Sequence, residues 1–305
     1  MKFVDLFCGM GGFHLALERA FEKAQCVFAS DIDKFAKKTY QANFGVLPQG
    51  DITKIQAHAI PAHDMLCGGF PCQSFSSIGK REGFEHATKG TLFFDICRIL
   101  HHHKPAVCFL ENVTGLLTHD RGATLQTVLA TLRGLGYAVD THVFDGADFG
   151  LPAHRKRIFI VGFSNPKHAA AFQWPVPTHV GRHVGIGSIL EDHDDGYCIS
   201  KHLQKAYLFK KEDGRPRCVD KTTAVPANTL VSTYHKIQRL TGTFVRDGKT
   251  GLRLFSANEC KQLMGFPKDF KMPVSRTQMY RQTGNSVSVP VVTAIARKIR
   301  LALER

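Results

Sequence analysis

The first half of the chain alternates two hydrophobic rhythms. Short runs rich in β-branched and aromatic residues ("KFVDLF", "CVFAS", "DMLCGG", "AVCFLENV", "AVDTHVFDG", "RIFIVGF") are separated by stretches whose apolar residues recur every three or four positions. Among the latter are "HLALERAFEKA", "DKFAKKTYQANF" and "TLQTVLATLRGLG". The runs have the length and composition of strands, the stretches those of amphipathic helices. Strands joined through helices of this length need right-handed crossovers, which build a mostly parallel sheet covered on both faces. The pattern therefore predicts a doubly wound α/β domain. Ligands of such sheets sit beyond the carboxyl ends of the strands, so the residues that follow each apolar run are where chemistry is expected.

After Phe163 the rhythm fails. Residues 181–275 are richer in Gly, Pro and charge, with short strand-like pieces such as "GTFVRDG" and "GLRLF". Apolar residues spread through this stretch argue against a disordered insert. A smaller, irregular, basic domain at 181–275 is expected, set into a first domain formed by 1–180 and 276–305. The closing "YRQTGNSVSVPVVTAIARKIRLALER" becomes helical from Val291 and is expected to pack on the first domain.

Composition narrows the partner. The 305 residues are 43% apolar, enough for a sizeable core, and no apolar run approaches the ~18–20 residues that cross a bilayer. A formal net charge of +14 and a pI near 9.5 favour a polyanion. Nucleic acid is preferred to an anionic membrane, because no basic amphipathic helix or lipidation signal is present. The nine cysteines, odd in number and scattered, do not form a disulfide framework. Reduced thiols and a cytoplasmic location are expected.

Candidate chemistry lies at the strand ends. "VDLFCGMGGFHLAL" reads as strand, glycine-rich turn and helix, a form that lets backbone approach a ligand. Gly9 and Gly11 are followed by His14 where a dinucleotide fingerprint needs its last glycine, which disfavours NAD. Asp31 and Asp51 follow later extended pieces, and acids beyond strand ends without a P-loop lysine suit an adenosyl ligand. Each acid taken alone is equally a helix cap. Cys72 follows the strand "DMLCGGF" and precedes a polar, glycine-punctuated stretch; by itself it reads as a packing residue or a nucleophile. No metal is expected, since Cys67 and Cys72 lack zinc-knuckle spacing. Glu111 and Asn112 end another apolar run, and Arg155 and Arg157 open the next; carboxylate and guanidinium there form either an ion pair or part of a site.

Taken together and in order, "DLFCGMGG", "GGFPCQSFS", "ENV", "AHRKR", "PANTLVSTY", "ANECKQLMGFPKDF" and "GNSVSVPVV" resemble the DNA cytosine-5 methyltransferases of bacterial restriction-modification systems, over nearly the whole chain. The resemblance implies a Rossmann-like methyltransferase sheet with a target-recognition domain. It implies S-adenosylmethionine as cofactor, held by Phe7, Gly9, Gly11, Gly12, Asp31, Ile32, Asp51, Ile52, Leu92, Asn285 and Ser286, with S-adenosylhomocysteine as product. It implies Cys72 as the nucleophile toward C6 of a flipped cytosine, Glu111 as the acid at N3 and the exocyclic amine, Arg155 beside the thiolate and Arg157 at O2. Phe70, Pro71, Gln73, Ser76, Lys80, Arg81, Asn112 and Thr229 are implied around the DNA substrate. The stretch from Gln73 to about Gly90 is implied as a closing loop, with Gly79, Gly83 and Gly90 as hinges. Base reading falls to 181–275, with Arg215, Arg217, Lys236 and Arg239 as candidates.

Three positions depart from the family pattern: Asp31 replaces a more usual glutamate, Ile32 a more usual aromatic, and Ala153 a glutamine. The implied partners are double-stranded DNA, no membrane, and a cognate restriction endonuclease acting on the same site. The protein is expected to be a nucleoid-associated bacterial monomer. Alternatives of the same resemblance are a transfer-RNA cytosine-5 methyltransferase and a catalytically inactive DNA-binding relative.

Overall fold

The computed structural model describes residues 1–71, 92–192 and 195–305. They divide into two compact units. The first comprises Met1–Phe144, Lys156–Pro175 and Val292–Arg305, and the second Asp145–Arg155 and Val176–Val291.

The first unit follows the expected alternation: β1 (Lys2–Leu6), α1 (Gly12–Ala20), β2 (Gln25–Ser30), α2 (Lys34–Phe44), β3 (Met65–Gly69), α3 (Leu92–His103), β4 (Val107–Val113), α4 (Ala123–Gly134), β5 (Ala138–Asp145), β6 (Lys156–Phe163) and the short α5 (Pro166–Ala171). The sheet order is β2-β1-β3-β4-β6-β5. β2, β1, β3 and β4 run parallel, and β6 pairs antiparallel with β4. Parallel strands are buried on both faces, which explains runs that are apolar throughout rather than alternating.

On one face Val4, Leu6, Leu66, Cys108, Leu110, Ile158 and Ile160 join Phe93, Ile96 and Leu100 of α3 and Val128 and Leu132 of α4 in one apolar cluster. Each such aliphatic side chain, fully buried, stabilises the fold by about 1.5–3 kcal/mol. On the other face Phe13 of α1 meets Phe109 of β4 edge to face, with centroids 5.1 Å apart. α1 is shorter than the pattern predicts, because Phe21 turns extended and buries its ring. Its successor α2 is capped by Asp33, whose carboxylate accepts from Phe35 N–H and Ala36 N–H, and closes on Gly45 at φ 71°.

The second unit is mostly turns. It holds the one-turn helix α6 (Lys201–Leu203), the pair β7 (Arg217–Val219) and β8 (Thr243–Val245), α7 (Ala257–Met264) and α8 (Arg276–Asn285). "GLRLF" forms no strand; Arg253 makes single bridges to Val245 and Cys198. A capping box opens α7, with Ser256 accepting from Glu259 N–H while the Glu259 carboxylate accepts from Ser256 N–H. The last helix, α9 (Val289–Leu303), begins slightly earlier than predicted, Pro290 being tolerated in a first turn whose N–H groups need no helical partner. Its residues from Val292 onward belong to the first unit, with Val292, Ile295, Ala296, Ile299 and Ala302 buried at helical spacing.

Among the described residues eight cysteines are free thiols. No described helix is long and apolar enough to cross a membrane.

Candidate active site

The glycine-rich turn leaves β1 through three left-handed residues, Phe7 (φ 55°), Gly9 (φ 54°) and Gly11 (φ 93°). Phe7 bears a conformation that costs a non-glycine residue roughly 1 kcal/mol or more, a strain typical of ligand-binding turns. Gly11 precedes α1, and a Cβ there would overlap the ring of Phe44. Gly9 faces open space, with no atom within 4 Å of where its Cβ would stand. Gly12 is the first residue of α1.

Across from the turn, Asp31 accepts from Gly9 N–H and Asp33 N–H, each at 2.8 Å. Burial raises its carboxyl above the usual range, and these two N–H groups hold the rise back. Ile32 beside it is 78% exposed, a large apolar side chain left in solvent. Strained turn, open backbone and adjacent carboxylate fit an adenosyl group: the N–H groups and acid address polar edges, and Phe7 and Ile32 offer apolar surface. Asp51 caps the turn Ile52–Lys54, accepting from Thr53 N–H at 3.1 Å and the Thr53 hydroxyl at 2.8 Å. These bonds draw its carboxyl below the usual range. Ile52 is buried in the α3 side core and Leu92, the first residue of α3, packs against it.

The carboxyl ends of β3 and β4 carry the second group. In register, Glu111 of β4 lies between Gly69 of β3 and Phe159 of β6. Arg157 Nε lies 3.0 Å from Glu111 Oε1 in an ion pair, the two side chains being 14% and 10% exposed. The ion pair foreseen as one reading of these residues is formed. Gly69 makes room for it, since a Cβ there would stand 3.2 Å from Glu111 Oε2. Asn112 turns inward: its amide donates to the Phe70 carbonyl at 2.9 Å and its oxygen accepts from Val113 N–H. It thus ties β4 to the backbone that carries Phe70, which is buried, and Pro71, which is exposed. Cys72, Gln73, Ser76, Lys80 and Arg81, with the hinge candidates Gly79, Gly83 and Gly90, lie outside the described residues.

In the second unit Arg155 is 2% exposed, with Nη1 3.5 Å from the Leu230 carbonyl. Its N–H donates to Asp145, which also accepts from Ala147 N–H and His154 Nδ1. Burial raises the Asp145 carboxyl, but these donors outweigh it and the net shift is downward. The Thr229 hydroxyl donates to the His154 carbonyl at 2.7 Å, and Ala153, buried, bridges Ala227. "PANTLVSTY" therefore joins the arginine segment by one bridge and two side-chain bonds. Asn285 ends α8 and is exposed; Ser286 follows with its hydroxyl 3.4 Å from the Val287 carbonyl.

Of the base-reading candidates, Arg239 is 8% exposed and works inward. It donates to the carbonyls of Leu208, Lys211 and Arg215 and to both oxygens of Asp213. Arg217 is held by Pro226 and Asn228, and Arg215 by the Leu240 carbonyl. Lys236 stands exposed. Among the described residues no group of three or more His, Cys, Asp or Glu side chains is arranged to hold a metal.

The model of the C-5 cytosine-specific DNA methylase family matches residues 1–301. The chain belongs to that family. It is 58% identical over 303 residues to the Type II methyltransferase M.MspI of Moraxella sp, covering 99% of this chain and 71% of that one. To the Type II methyltransferase M.BsuFI of Bacillus subtilis it is 54% identical over 296 residues, covering 97% and 71%. The crystal structure of the S. pombe Dnmt2 methyltransferase shares the fold, with a TM-score of 0.78 at 23% identity over 100% of this chain and 98% of that one. The protein is therefore an enzyme of the S-adenosylmethionine-dependent class, and the mostly parallel sheet expected of the family is present.

Several residues that shape the site escaped the sequence reading. Gly69 matters only because register places it opposite Glu111. Asp5, His14 and Tyr40 are buried together behind the turn; their signal was an acid in the middle of the apolar run "FVDLF".

Proposed function

We propose that the enzyme transfers a methyl group to C5 of a flipped cytosine within a specific duplex DNA sequence, through a covalent bond between Cys72 and C6. The observation that carries this reading is the Glu111–Arg157 pair at the carboxyl edge of the sheet, beside the strand that leads through Phe70 and Pro71 into Cys72. Cytosine C5 is too weak a nucleophile unaided. Addition of the Cys72 thiolate forms the S–C6 bond and moves electron density to C5. Glu111, as the protonated acid, holds N3 and the exocyclic amine while that density builds, and Arg157 holds O2. Bound at the turn of Phe7, Gly9, Gly11 and Gly12 with Asp31, S-adenosylmethionine supplies the methyl group as an electrophile. Loss of the C5 proton and departure of the thiolate then restore the ring. Arg155 favours the thiolate form of Cys72. Because C6 is closed inside a duplex, the base must swing out at a cost of about a few kcal/mol.

The second part of the reading is biological. M.MspI and M.BsuFI are named Type II methyltransferases, and the same role, protection of host DNA beside a cognate endonuclease, is proposed here. Target recognition is assigned to 181–275 and catalysis to 1–180 with 276–305, in a cytoplasmic, nucleoid-associated monomer that needs no metal. The test is a duplex carrying 5-fluorocytosine, whose C5 cannot lose a proton. Wild type is expected to form an adduct stable to denaturation, and Cys72→Ser none. Labelled methyl groups entering transfer RNA in place of duplex DNA would overturn the substrate assignment. Bisulfite sequencing of host DNA reads the recognition site directly.

A further inference from the structure

Behind the glycine-rich turn lies a line of buried polar side chains that the proposed chemistry does not use. Asp5 is the fourth of the five residues of β1, 1% exposed. Its Oδ2 is 3.4 Å from the Tyr40 hydroxyl on α2, and that hydroxyl is 2.6 Å from His14 Nδ1 on α1. His14 Nε2 in turn is 3.2 Å from Glu18, whose side chain is 48% exposed. Four polar groups thus connect solvent to the base of the turn.

The order of protons along this line has two states. With Asp5 neutral, its O–H faces Tyr40, the Tyr40 O–H faces His14 Nδ1, and His14 Nε2–H faces the Glu18 carboxylate. Every donor meets an acceptor. With Asp5 ionised, Tyr40 must donate to Asp5 and His14 Nδ1–H to Tyr40, so that a neutral His14 turns a bare Nε2 toward Glu18. The whole chain reverses and ends on two acceptors face to face, which a buried network tolerates poorly. Burial pushes the Asp5 carboxyl up to about 8, against hydrogen bonds from Tyr40, Cys67 and the His14 N–H, and pulls His14 down to about 4. The other titratable groups facing Asp5 are Asp31 beyond β2, Cys26 on β2, Cys8 in the turn and Cys67 on β3.

The buried part of this line meets the turn at Asp5 and again through His14. Asp5 stands two residues before the strained Phe7. His14 stacks flat on Phe44, centroids 3.9 Å apart and planes 13° apart, and Phe44 fills the space beside Gly11. We propose that Asp5, Tyr40 and His14 are positioning residues that hold the Phe7–Gly11 turn in its ligand-binding form, and that this form is released when the direction of their hydrogen bonds reverses. The proposal rests on the reading that this turn, with Asp31, binds the adenosyl cofactor.

The test is calorimetric titration of the full chain with S-adenosylhomocysteine between pH 6.5 and 9, with turnover and melting temperature measured alongside. Tyr40→Phe keeps the ring and cuts the line; it should weaken binding about tenfold and raise KM for S-adenosylmethionine, with kcat at saturation within about threefold. Wild type should lose affinity above about pH 8, whereas Asp5→Asn, which cannot ionise, should not. The ligand's own titration is common to both proteins and drops out of the comparison. Binding by Tyr40→Phe within twofold of wild type, or parallel pH curves for wild type and Asp5→Asn, would overturn the scaffold alone. Wild type that binds no S-adenosylhomocysteine at any pH would overturn the cofactor reading and the scaffold with it.

Discussion

An arginine–glutamate pair is found in each unit, and the two are built differently. In the second unit Arg253 and Glu259 are both 0% exposed and meet through two bonds of 2.8 Å. Arg253 also reaches Asp247 and the carbonyls of Leu254 and Glu191, while Glu259 accepts from Ser256 N–H and Glu191 N–H. Burial lowers the Arg253 guanidinium's affinity for its proton, but its carboxylate partners outweigh that and the net shift is upward. In the first unit Arg157 and Glu111 form an ion pair at 3.0 Å, remain partly exposed, and stand at the carboxyl edge of the sheet with a glycine cleared beside them. The same residue types thus serve as a folding clamp in one place and face the proposed chemistry in the other. Exposure and position at the strand ends, rather than pairing itself, distinguish the two.

The contrast breaks most visibly in turnover. Glu111→Gln preserves shape but not acidity and is expected to slow methyl transfer by roughly 10²–10⁴-fold with the unfolding midpoint little changed. Single-turnover kinetics and a denaturant curve on the same preparation measure both. Arg253→Ala should do the reverse, leaving Glu259 charged and buried; a loss of about 3–5 kcal/mol in unfolding free energy is expected by urea titration. Should Arg253→Ala fold normally and lose only turnover, the division of roles between the pairs would fail.

A third buried acid sharpens the comparison because it has no arginine. Asp5, with its carboxyl raised to about 8 by burial, binds a proton in the folded chain that the unfolded chain releases near pH 4. Its contribution to stability is therefore full below about pH 4 and declines as pH rises toward 8. Asp5→Asn removes that decline. Melting temperatures should diverge in favour of the variant between pH 5 and 8 and run parallel above, a difference on the order of a few kcal/mol. The smallest effect is expected at the α7 cap. Ser256→Ala removes the hydroxyl that accepts from Glu259 N–H and should lower stability by about 1 kcal/mol, read from the same denaturant curves, with turnover unchanged.

Much of the first unit was legible from periodicity, since a strand buried on both faces and an amphipathic helix each announce themselves within a few residues. The places of the turn glycines and of the acids after the strands were legible for the same reason: they are local to a strand end. Partners within the fold were less legible. Asp51, expected beside the cofactor, also caps the turn at Thr53. Arg239, a base-reading candidate by charge, holds the carbonyls of Leu208, Lys211 and Arg215.

The order of elements, the α/β class, the irregular second part and the residues that identify the family were settled by the sequence itself, because hydrophobic period, turn chemistry and motif order are written along the chain. Only the tertiary structure decided which polar groups meet: Glu111 with Arg157 across the β4–β6 register, Asn112 with the backbone of Phe70, Asp5 with Tyr40 and His14, Arg253 with Glu259. The reason is physical. A polar side chain's role depends on whether water or a particular partner satisfies it, and for most of these groups that partner lies tens of residues away, brought within hydrogen-bonding range by strand register and helix packing.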